Sequence, residues 1–62
     1  MLKISLKAAR VNAGLTLNEV AKMSNVSVSA LSSWENGETE PKFSQVLRLI
    51  EIYNIPIDNI SI

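Results

Sequence analysis

Cysteine and histidine are both absent from these 62 residues, which removes the thiolate nucleophile, the imidazole base and nearly every transition-metal ligand together. The remaining acids are Glu19, Glu35, Glu38, Glu40, Glu51 and Asp58. Paired acid and base work by carboxylates needs a cleft, and a core this small seldom encloses one. Neither an enzyme nor a small-molecule substrate is expected, and no cofactor or metal is called for. Two charged residues stand out by spacing. Leu6, Arg10 and Ala13 recur at i, i+4 and i+7, and Leu31 and Glu35 at i and i+4, so a guanidinium and a carboxylate each fall on an apolar stripe. Either the two meet and neutralise each other inside, or both reach solvent on their long stems. A second constellation is polar and small. Val28, Ser29, Ser32, Ser33 and Asn36 share one helical face, opposite Leu31 and Trp34. Hydroxyl groups on a slim helix can approach a nucleic-acid groove, and Val28 could meet a thymine methyl. The same pattern also describes a solvated serine-rich surface.

Helical segments must position these groups, and their start and stop signals are frequent. Ser5 caps a first helix over about 6–13, with Gly14 as its stop. Thr16-Leu17-Asn18-Glu19 is a capping box opening a second helix to about residue 24, and Asn25 suits a left-handed turn. Ser27 caps a third helix over 28–36, closed by Gly37. Residues 38–41 form a loop, since Pro41 forces its predecessor out of helical geometry. A fourth helix over 43–53 is expected to turn Phe43, Val46, Leu47, Leu49, Ile50 and Tyr53 inward. Beyond Pro56, residues 57–60 read equally as a helical turn or a short extended piece. Trp34 and Tyr53 are assigned to packing, and Met23 to the outer side of the second helix.

Composition bounds the rest. A chain of this length makes one domain, here 1–62, and buries only about 60% of its unfolded surface. With no disulfide available, stability must come from helix packing or from association. No apolar run is long enough to span a membrane and the start lacks a signal-peptide stretch, so a cytoplasmic protein is expected. Formal net charge is zero, but it is unevenly spread. Lys3, Lys7, Arg10 and Lys22 against Glu19 give the first 22 residues +3, and the remainder carries −3. Lys3, Lys7, Lys22 and Lys42 are the candidate electrostatic anchors for phosphate.

The spaced set Leu15 to Ala21, Val26-Ser27, Leu31-Ser32, Trp34-Glu35-Asn36-Gly37 and Pro41 resembles the Cro/C1-type (XRE) helix-turn-helix family. The resemblance runs from Leu6 to Ile60. It implies an all-α, lambda-repressor-like bundle of four to five short helices, with the helix-turn-helix at about 17–36, and a repressor-like regulator of transcription. Its partner would be double-stranded DNA. It further implies that Arg10 and Glu35 form a structural salt bridge, that Val28, Ser29, Ser32 and Ser33 read bases, and that Leu17, Ser27, Asn36, Thr39 and Lys42 lie at the DNA backbone. Members commonly pair on two half-sites. Three positions depart from the family pattern. Leu17 stands where Gln is usual, no Arg, Lys, Gln or Asn precedes Asn36 in the reading helix, and the loop carries Glu38 and Glu40. These departures lower the expected affinity and keep an alternative open, a protein-interaction module of the same fold such as an antitoxin-like partner. A homodimer is expected through the isoleucine-rich last third, with Ile52, Ile57 and Ile62 as its apolar patch.

Overall fold

The computed structural model describes residues 3–61, with side chains to residue 60. Four helices follow one another: α1 (Leu6–Asn12), α2 (Leu17–Ser24), α3 (Val28–Glu35) and α4 (Phe43–Tyr53), then a 3-10 turn over Ile57–Asn59. Their starts are set by side chains that satisfy amides the helix itself leaves free. The hydroxyls of Ser5 and Ser27 accept from the Ala8 and Ala30 amides, each at 3.1 Å. At α2 the capping box is complete, with Thr16 accepting from the Glu19 amide and Glu19 accepting from the Thr16 amide at 2.9 Å. That backbone donor, with the Thr16 hydroxyl second, holds the Glu19 carboxyl below its usual pKa. For α4 the bond runs one way. Gln45 accepts from the Lys42 amide at 2.7 Å, whereas the Lys42 ammonium has no lone pair to return one.

Helix ends share one device. Gly14 and Gly37 take φ of 74° and 75°, and Asn54 takes 57°. In each case the next amide reaches back five residues: Leu15 to the Arg10 carbonyl, Glu38 to Ser33 and Ile55 to Ile50. These left-handed closures satisfy carbonyls that would otherwise be orphaned. A β-carbon at either glycine would meet nothing within 4 Å, so the glycines serve φ and not space. The Asn54 closure was not anticipated, although its preference for this conformation matches that of Asn25, which takes φ 59°.

The core is formed by Leu6, Ala9, Val20, Leu31, Val46, Leu49, Tyr53 and Ile60. α3 packs on α1 and α2, and α2 also packs on α4. Residues 57–60 resolve into both open options, a 3-10 turn leading to an extended pair. That pair was not foreseen. Ile4–Ser5 (β1) and Ile60–Ser61 (β2) run parallel, with Ile4 opposite Ile60. Two residues per strand leave too little pattern to read from sequence, but the ladder ties the two ends of the described chain together.

Two expectations for α4 are corrected. Phe43 is 66% exposed and Leu47 39% exposed, so neither belongs to the core. Ile52 and Ile57 are instead partly buried and packed against it. They do not form the exposed patch assigned to them, and Ile62 lies outside the described residues. The inward direction of α4 is set by Val46, Leu49 and Tyr53. Phe43 and Ile52 lie on opposite flanks of that direction, and the wheel alone cannot tell which flank the neighbouring elements cover. Among the described residues, no helix is long and apolar enough to cross a membrane.

Candidate nucleic-acid interface

Three residues connect α2 to α3. Asn25 reverses the chain in left-handed geometry, Val26 tucks partly into the core, and Ser27 caps α3. Leu31, 2% exposed, anchors α3 from below, and Trp34 packs against the same core. The third anchor is ionic. Arg10 Nε donates to Glu35 Oε2 at 2.8 Å and Nη2 donates to Oε1 at 3.2 Å, a forked pairing across α1 and α3. The remaining arm, Nη1, donates to the Leu15 carbonyl at 2.8 Å. The side chains are 12% and 6% exposed, so the charges are largely removed from water and depend on one another. Hydrogen bonding to Glu35 raises the Arg10 pKa above its ordinary value, against a smaller opposing effect of burial. Tyr53 is a neighbour of this pair. Burial first, then the Glu35 charge, pushes its hydroxyl up to about 12, with Arg10 pulling the other way.

With its inner side fixed at three points, α3 presents the opposite side. Val28 (38% exposed), Ser29 and Asn36 are open to solvent, while Ser32 and Ser33 are half-buried. Ser33 lies toward the α3–α4 loop, which folds back so that the Glu38 amide donates to the Ser33 carbonyl at 2.9 Å. Asn36 Nδ2 lies 3.5 Å from the Ser32 hydroxyl, a weak contact at the long limit. The exposed stripe is therefore Val28, Ser29 and Asn36, with the half-buried Ser32 and Ser33 at its edge. At the start of α3 the Ser27 hydroxyl keeps its own proton to donate, beside the amides of the first turn. An anion fits such an end.

The surrounding positions divide. Thr39 and Lys42 are exposed, as are Glu38 and Glu40. Leu17 is half-buried against the core, so its side chain is a packing element and only its main chain remains for a backbone contact. Sequence reasoning passed over Arg48. It lines, with Ser44 and Gln45, a polar groove of about 310 Å³ whose other wall is Ser24, Asn25 and Val26. The signal was present in the stripe Ser44, Gln45 and Arg48 along the side of α4 away from its core residues. Lys3, Lys7, Lys22, Lys42 and Arg48 are all exposed, whereas Arg10 is committed to Glu35. Among the described residues, no group of three or more acids converges to hold a metal ion.

Two short helices at this turn length, the second pinned from behind and bare in front, define a helix-turn-helix of the DNA-binding kind. A helix-turn-helix family model matches residues 6–60, and the chain belongs to the Cro/C1-type helix-turn-helix family. Searches of curated proteins and of solved structures returned no match.

Proposed function

We propose that this protein is a sequence-specific regulator of transcription, repressor-like in action, that seats α3 in the major groove of DNA as a homodimer. The observation that carries this reading is the asymmetry of α3. Leu31, Trp34 and Glu35 hold it rigidly, and Val28, Ser29, Ser32 and Asn36 are left outward. Val28 packs on a thymine methyl, and the hydroxyls of Ser29, Ser32 and Ser33 bond base edges or intervening water. Ser27, Asn36, Thr39 and Lys42 hold the backbone, joined by the main chain at Leu17. Arg48 adds charge beside the turn.

No Arg or Lys on α3 makes a forked contact to guanine, so base discrimination per contact is low and groove shape carries a larger share. Glu38 and Glu40, exposed on the loop, favour the second reading, a protein-interaction module with weakened DNA contact. Selection from random duplex DNA at low salt separates the two. An enriched, palindromic pair of half-sites about 34 Å apart supports the regulator. Uniform weak binding, or none, supports the interaction module.

A further inference from the structure

We propose that the cavity between the start of α1, the end of α3 and the α3–α4 loop is a binding site for a small organic cation, an arylalkyl ammonium of fragment size. The inference is independent of whether α3 reads DNA. The cavity has a volume of about 220 Å³. Since an apolar cavity of about 150 Å³ takes up benzene, this one has room for a ring with a short aminoalkyl arm. Leu6, Trp34 and Pro41 supply apolar walls, and Glu35, Thr39 and Glu40 supply polar ones.

The charges around the cavity decide the sign of its ligand. Among the described residues, two carboxylates line it and no lysine or arginine does. Glu35 is the rigid part of the site, with a side chain 6% exposed and held in place by Arg10. Oε1 and Oε2 each accept one guanidinium bond. A carboxylate has about four lone-pair sites, so capacity for a ligand N–H remains. Glu40 is exposed on the loop and, among the described residues, has no ion-pair partner. The end of α3 adds the negative pole of its backbone dipole, and Trp34 adds an aromatic surface of the kind that attracts ammonium groups. An anion of the same size is disfavoured on all these counts, and a neutral molecule gains only the apolar walls. The volume falls below the roughly 300 Å³ of ordinary ligand pockets, so binding is weak, about millimolar. Because the loop forms one wall, occupancy ties it to α3 and offsets part of its acidic charge.

Trp34 is the only tryptophan and lines the cavity, so its fluorescence reports occupancy without a label. The protein is titrated with 2-phenylethylammonium chloride at constant ionic strength and without DNA. Neutral 2-phenylethanol and anionic phenylacetate, of similar shape, serve as counterparts. The expected result is a change that saturates with the ammonium at about millimolar concentration and does not saturate with either counterpart over the same range. Glu40→Gln should weaken binding about two- to fivefold. Glu38→Gln removes the same charge from the same loop but outside the cavity, and should leave binding unchanged. Circular dichroism of each variant verifies its fold. No saturable change with the ammonium overturns the inference, as does an equal response to 2-phenylethanol. So does a Glu40→Gln effect no larger than that of Glu38→Gln. Since DNA is absent throughout, failure here leaves the proposed DNA reading untouched, and failure to select a DNA site leaves the cation site untouched.

Discussion

The two sides of α3 are built on opposite principles. Its inner side, around Glu35, is over-determined: a forked ion pair and the buried Leu31 hold the helix, and a third guanidinium bond to Leu15 fixes Arg10, the other half of the pair. Its outer side carries no charge, and it presents the exposed Ser29 hydroxyl beside the half-buried Ser32. A rigidly held side and an open side are thereby separated within eight residues. Changes to the inner side should act on stability and reach function only through it. Changes to the outer side should act on binding and barely touch stability.

The largest effect that could break this division is removal of the guanidinium. Arg10→Ala leaves the Glu35 carboxylate desolvated and the Leu15 carbonyl short of a donor. It should cost about 3–5 kcal/mol by denaturant unfolding. Ser29→Ala should stay within about 0.5 kcal/mol of the parent. Equal losses for the two would erase the contrast.

Tyr53 offers the next largest. Its hydroxyl titrates near 12 in the folded protein, against about 10 when unfolded. The folded state therefore holds the proton where the unfolded state releases it. The stabilising contribution is complete below pH 10 and is lost as the pH rises towards 12. Tyr53→Phe should remove this part of the alkaline loss, read as the difference between the two unfolding curves against pH.

Thr16→Ala should cost about 1 kcal/mol through loss of the α2 cap, with no change of outer face. The smallest stability effect belongs to the loop. Glu38→Lys with Glu40→Lys should leave unfolding nearly unchanged and yet tighten DNA binding at low salt. Each phosphate newly neutralised should steepen the log–log salt slope by about 0.9. An unaltered slope would put the loop away from phosphate.

The legible parts of this molecule are those written in short-range chemistry. Ser5, Thr16 and Ser27 mark helix starts because a cap needs only a side chain and an amide three residues on. Gly14, Asn25 and Gly37 mark stops because few residues accept positive φ. Spacing put Arg10 and Glu35 on inward stripes but left pairing and solvent exposure both open, and it was the family resemblance that pointed to the pair seen in the structure. What escaped depends on distant chain. The β1–β2 ladder joins residues 56 positions apart in two-residue strands. The exchange of Phe43 and Leu47 for Ile52 and Ile57 depends on which flank of α4 the neighbouring elements cover. The half-burial of Leu17 follows from its packing against the core. On the outer face of α3 the residue types were visible, and their relative exposure was not.

The most direct test is chemical-shift mapping by NMR, titrating the isotope-labelled protein with a duplex selected from random sequence and with a scrambled duplex of equal length. The account predicts that the selected duplex shifts the amides of residues 27–33, Asn36 and Lys42. The scrambled one should move chiefly the lysine-bearing and loop positions. Shifts confined to the Phe43 and Leu47 flank of α4, or identical for the two duplexes, would contradict α3 as the reading helix.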